Sequence, residues 1–180
     1  MINEIRRIFG QSRTNSCLSV ESRNKFLIAE NGATNQSYIV PSSHTTINSD
    51  ECLVVENPCG KDVNHISIDA CFLTRRYGYS GQKCDFIAFT DEKFCFVELK
   101  SNATSVASRS KNLKKARNQL GATIDYFDNN SLNFLNHTLE AYIVLKNRLY
   151  PTHQASIQTR RKKFFDEYEV DLFEKSEVEF

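Results

Sequence analysis

The stretch Cys84-Asp85-Phe86-Ile87-Ala88-Phe89-Thr90-Asp91-Glu92-Lys93-Phe94-Cys95-Phe96-Val97-Glu98-Leu99-Lys100 decides how the rest of the chain is read. Two runs of aromatic and β-branched residues flank a polar tetrapeptide, the pattern of a β-hairpin. Both runs are apolar almost without interruption, so the strands are expected to be covered on both faces, and covering calls for helices. A symmetric loop, whether Asp91-Glu92 or Thr90 to Lys93, pairs Phe89 with Phe94 and, counted outward, sets Asp85 opposite Glu98. Opposed residues in an antiparallel ladder share a face with Cβ atoms about 5 Å apart, where like charges repel. Lys100, two residues beyond Glu98, falls on the same face by strand alternation.

Outward from the hairpin, Leu113, Ala116, Leu120, Ile124 and Phe127 recur at helical spacing, which predicts a helix capped by Ser110 and running to Phe127. Asn129-Asn130-Ser131 breaks it, and Thr138 to Leu145 reads as a buried strand in a unit ended by Pro151. A helix through Arg160–Phe165 and a short strand at Val170–Phe173 follow. Upstream, Ile2, Ile5, Ile8 and Phe9 predict a short helix, and Val20 to Leu27 before Asn31-Gly32 predict a second over 20–30. The segment 31–49 reads as loop with a short strand at Tyr38-Ile39-Val40; Cys52–Glu56, His65–Asp69 and Cys71–Leu73 read as strands. The expected fold class is α/β (α+β), a mixed central sheet flanked by helices. One domain is expected over 1–180, with N-terminal helices and a loop in 1–50, the core in 51–146 and a helix/strand extension in 147–180.

With 23 Lys and Arg against 22 Asp and Glu, the whole molecule carries no field that would attract a polyanion, so any nucleic-acid affinity must come from local patches. No apolar leader precedes the six cysteines, which are read as reduced thiols of a cytoplasmic protein, and no apolar run is long enough to span a membrane. Cys84 and Cys95 lie inside strands and read as core residues. Cys52, Cys59, His65 and Cys71 lack the close Cys-x-x-Cys pairs of a zinc site.

Two facing carboxylates and a lysine at one end of an apolar hairpin call for a cation. Mg²⁺ takes oxygen ligands, keeps several waters and is commonly held by one or two carboxylates plus a substrate phosphate. The chemistry indicated is metal-assisted phosphodiester hydrolysis, with Asp85 and Glu98 as ligands and Lys100 positioning the water or neutralising the phosphate.

Asp85, twelve intervening residues, then Glu98-Leu99-Lys100 resembles the signature of the PD-(D/E)XK nuclease superfamily, an acid, a variable gap, then acid-x-Lys. Cys84 stands where the family's proline is usual, a replacement the family tolerates. The resemblance covers 84–100 well and the following helix and strand to about 146 loosely. It implies a restriction-endonuclease-like core and a Mg²⁺-dependent nuclease, Mn²⁺ able to substitute, acting on DNA, with RNA not excluded. The stretch Gln119 to Tyr126 looks like a lengthened Gln-x-x-x-Tyr motif, which makes Gln119 a further catalytic candidate. An additional upstream acid, used by some members, would be Asp69, with Glu21 or Glu30 as rivals. The resemblance further implies a prokaryotic restriction, phage-defence or repair setting, and a homo-oligomer if both strands of a duplex are cut. A chain this short leaves room for a partner such as an ATPase or recognition subunit. The rival reading is a catalytically silent nucleic-acid-binding or assembly subunit.

Lys111, Lys114, Lys115 and Arg117 form an acid-free basic stretch able to hold nucleic-acid phosphates. The block Arg160-Arg161-Lys162-Lys163 is followed by an acidic tail and is read as intramolecular charge balance in preference to a DNA clamp. Tyr77-Gly78-Tyr79-Ser80-Gly81 is read as a turn into the first hairpin strand rather than a base-stacking platform.

Overall fold

In the computed structural model, which describes residues 1–43, 51–100, 106–145 and 154–180, the central hairpin adopts the register its loop dictates. Strands β6 (Phe86–Phe89) and β7 (Lys93–Lys100) are antiparallel, with Phe89 opposite Phe94 and Phe86 opposite Val97. Thr90 Oγ1 accepts the backbone N–H groups of Glu92 and Lys93 and so closes the turn. Helix α3 (Val106–Asn129) follows β7, starting four residues before Ser110, and β8 (Thr138–Leu145) lies parallel to β7. Helix α4 (Gln154–Tyr168) precedes β9 (Asp171–Phe173), which runs parallel to β8. On the other side of the hairpin, β5 (Val63–Ser67) pairs antiparallel with β6, and β1 (Leu18–Glu21) with β5. The order among the described residues is β1-β5-β6-β7-β8-β9.

The unbroken apolarity of the hairpin follows from what covers its two faces. Ile87, Phe89, Phe94 and Phe96 pack on Leu113, Ala116, Leu120, Ile124 and Phe127 of α3, with Ile5 of α1 (Ile2–Phe9) and Phe164 of α4. The alternate residues Phe86, Ala88, Cys95, Val97 and Leu99 face the other way, onto a second mixed sheet. That sheet has the order β10-β4-β2-β3, from Glu177–Glu179, Leu53–Glu56, Lys25–Asn31 and Gln36–Ile39. Helices therefore cover one face and a sheet the other. Each large apolar side chain buried this way contributes about 1.5–3 kcal/mol relative to exposure. A buried polar link joins the layers: Ser37 Oγ of β3 lies 3.0 Å from His65 Nε2 of β5, and the Ser37 N–H donates to Ser67 Oγ. Burial pushes the His65 pKa down to about 3, so the ring is neutral.

Three expectations are corrected. The segment 20–30 is not a helix but the end of β1 and most of β2. In β2, Phe26 and Ile28 turn toward the six-stranded sheet while Leu27 and Ala29 turn to the opposite side, a period of two. Residues 71–73 are not a strand; the chain turns over Ile68–Phe72, with Asp69 extended and Ala70 at φ 58°, and the Leu73 N–H donates to the Ile68 carbonyl to close the turn. The six cysteines are not all thiols, since Cys17, at the end of α2 (Gln11–Cys17), forms a disulfide with Cys71 in that turn. Cys52, Cys59, Cys84 and Cys95 are not disulfide-bonded. Within the acidic tail, Val178 and Phe180 are buried, and β10 runs parallel to β4. The break expected at Pro151 lies outside the described residues. No helix among the described residues is long and apolar enough to cross a membrane.

Candidate functional site

Strand parity sends Glu98 and Lys100 to the helix-covered face of β7, where α3 supplies Gln119. Lys100 Nζ donates to Glu98 Oε1 and, at 3.1 Å, to Gln119 Oε1. The other end of the same amide, Nε2, donates to the Lys83 carbonyl at 2.9 Å, which fixes the orientation of the glutamine. Asp85 sits just before β6. Its N–H donates to the Val97 carbonyl, its Oδ2 accepts the Leu99 N–H at 2.5 Å, and its carbonyl accepts the N–H groups of Ile68 and Asp69. Glu98 is fully buried, and Asp85 and Lys100 are only 6% and 8% exposed.

Thr123 ties α3 to the residue before this aspartate. Its Oγ1 donates to the Gln119 carbonyl and accepts the buried Cys84 N–H at 2.8 Å. Thr123→Val removes that acceptor and leaves a buried N–H unpaired, at a cost of about 1–3 kcal/mol. Chemical denaturation should show this loss, and Thr123→Ser, which keeps the hydroxyl, should recover most of it.

The electrostatics of the pair are dominated by burial. Burial pushes the Asp85 carboxyl up to about 7, against the pull of the Leu99 amide and the Lys100 charge, with Glu30 and Asp69 adding repulsion. Glu98 is raised well above the carboxylate range by burial and by Asp85, and Lys100 and Lys115 offset this only partly. Glu98 Oε2 is enclosed and has no hydrogen-bond partner among the described residues. A buried acceptor left unpaired beside a second carboxylate is an arrangement that a cation would satisfy.

Asp85, Glu98, Lys100 and Gln119 thus converge. Asp69 lies at the edge of the site: its Oδ1 is 3.3 Å from Lys83 Nζ and accepts the Ala70 N–H. Glu30 comes from β2, on the second sheet rather than on a helix. Its pKa is raised by burial and by Asp69 and lowered by Lys100, which places it within reach of the same charges. Glu21 is committed elsewhere, paired with Arg23 at 2.6 Å.

The basic stretch divides. The Lys115 charge reaches Glu98, whereas Lys114 and Arg117 line a cleft against α4. Lys111 and Lys115 share the Gln119 face of α3 by four-residue spacing. Arg160 pairs with Glu174 at 2.9 Å, the charge balance expected of its block. Tyr126 stacks on Phe9 and meets Tyr79 edge-on, away from Lys100's partners, and Tyr79 closes its own turn by donating to the Gln82 carbonyl. The four residues weighed for zinc do not gather: Cys71 is bonded to Cys17, and His65 is held by Ser37. The contribution sequence reasoning missed is Lys83, whose carbonyl orients Gln119 and whose ammonium holds Asp69. Its position two residues before Asp85 was the available signal.

Compared with protein-family models, curated proteins and solved structures, the chain matches none. Among the described residues no group of three or more His, Cys, Asp or Glu is gathered to hold a metal by protein ligands alone. Asp85 and Glu98 offer two carboxylates, a donor set suited to Mg²⁺ with waters and a substrate phosphate completing its shell.

Proposed function

We propose that this protein is a Mg²⁺-dependent nuclease of the PD-(D/E)XK type, built on a restriction-endonuclease-like core and hydrolysing phosphodiester bonds of DNA. The reading rests on one observation: a buried lysine gripped by Glu98 and Gln119, beside Asp85, with Glu98 Oε2 left unpaired. The run β5, β6, β7, α3, β8, with β7 and β8 parallel across the helix, supports the core assignment.

Asp85 and Glu98 would hold the metal, which supplies a lowered pKa for water and neutralises charge on the phosphate. Lys100 is aimed by two acceptors, so its ammonium need not reorganise as negative charge builds on the phosphoryl oxygens. Gln119 positions Lys100 and is itself fixed by the Lys83 carbonyl. Glu30 adds negative charge that favours cation capture. Cleavage of both duplex strands would require a second copy of the chain, and an endonuclease in restriction, phage defence or repair is the setting that the family likeness suggests.

The test incubates wild type and Glu98→Ala with plasmid, linear duplex, single-stranded DNA and RNA in Mg²⁺, Mn²⁺ or EDTA. Metal-dependent products from wild type alone are expected. Equal products from both proteins, or metal-independent binding with no products, would overturn the reading, the latter in favour of a silent binding subunit.

A further inference from the structure

A second cluster of cations lies around α3 from the carboxylates. Lys114 and Arg117, three residues apart on one helix face, oppose Arg160 and Lys163 of α4 across a cleft of about 210 Å³, with Glu167 and Tyr168 at its rim. Neighbouring helix positions point about 100° apart, so Lys114 looks away from the side on which Lys115 reaches Glu98. Gly121 sets the spacing of the two helices, because a Cβ there would collide with the Tyr168 hydroxyl.

The cleft is built to favour an anion. Arg160 gives two of its five N–H donors to Glu174, a side chain only 1% exposed, and this fork holds its guanidinium in place. Arg117 Nη1 is enclosed and has no hydrogen-bond partner among the described residues. A guanidinium donor without an acceptor is costly, and four cations here face two carboxylates, Glu167 and Glu174.

We infer that the α3–α4 cleft binds a phosphate group of the nucleic-acid strand, held by Lys114, Arg117, Arg160 and Lys163 outside the catalytic carboxylates. The inference rests on the nucleic-acid reading but not on cleavage. A free nucleotide presents the same chemistry, so the test separates the two sources.

Lys114 and Lys163 are both exposed, so the double variant Lys114→Gln/Lys163→Gln keeps the fold, checked by an unchanged melting temperature. Fluorescent single-stranded and duplex oligonucleotides are titrated in EDTA at several salt concentrations. Loss of this one phosphate's neutralisation should reduce the slope of log affinity against log salt by about 0.7–0.9 and weaken low-salt binding about tenfold or more. In parallel, the Arg117 Nε–H resonance is followed as inorganic phosphate or AMP is added. An unchanged slope with a responsive Arg117 would move the site to a free nucleotide and overturn the strand assignment. An unchanged slope with a silent Arg117 would overturn the site itself. Wild-type binding with the predicted slope but no cleavage would overturn the nuclease reading and leave this inference standing.

Discussion

Alanine at Glu98 or at Lys100 should lower the proposed Mg²⁺-dependent cleavage by about 10³-fold, the effect of removing one preorganised group from a buried site. The two losses arise differently. Without Glu98, half of the donor set is gone, and Lys100 keeps only Gln119 as a described partner. Without Lys100, the buried Glu98 carboxyl faces Asp85 without its nearest described cation and is raised further, which opposes the charged form that a metal needs. Since the residues act as one unit, Glu98→Ala/Lys100→Ala should lose little more than either single variant. Gln119→Ala should cost about tenfold, in kcat rather than KM, because it only orients the ammonium. Single-turnover cleavage of a labelled duplex measures all four. A Lys100→Ala enzyme within tenfold of wild type would remove Lys100 from the chemistry.

The hairpin and its site were legible because both depend on local spacing. Loop symmetry fixes the register of Asp85 against Glu98, strand parity fixes the face of Lys100, and the periodicity of Leu113 to Phe127 fixes the helix that brings Gln119. The second sheet was not legible, because its pairings are distant in sequence. Glu177 joins Val54, and Lys25 joins Glu56, partners that no local pattern announces. Residues 25–31 also combine lysine, phenylalanine and leucine in a way that satisfies a short helix template, and only the facing sheet makes period two the better solution. That misreading set Glu30, named as a rival to Asp69 for the upstream acid, on a helix, whereas it belongs to β2. The cysteines misled for a related reason: Cys17 and Cys71 lie 54 residues apart, and their pairing depends on the turn after β5 folding back onto α2.

Asp85→Asn should stabilise the metal-free protein at pH 8 and leave it unchanged near pH 3. Burial holds the folded-state pKa at about 7 against the ordinary aspartate value of 3.8 that the unfolded chain shows. Below 3.8 the carboxyl is protonated in both states and costs nothing. As pH rises toward 7, the folded protein retains a proton that the unfolded chain releases, so stability falls, and above 7 the full cost is present. A shift of this size corresponds to about 4 kcal/mol, and in a chain of this length to a gain of roughly 8–16 °C in the melting temperature of the variant at pH 8. The same burial makes metal capture compete with protons. Mg²⁺ should raise the melting temperature of wild type at pH 8, by an amount set by its saturation, and should release protons when added near pH 7. At pH 5.5 both effects should fade, and Asp85→Asn should show neither at any pH. Thermal melts across pH with Mg²⁺ or EDTA, together with calorimetry in buffers of different ionisation enthalpy, measure the two together. A destabilised Asp85→Asn at pH 8 would mean that the Leu99 amide and Lys100 outweigh burial at Asp85, and that its carboxylate is already ionised before any metal arrives.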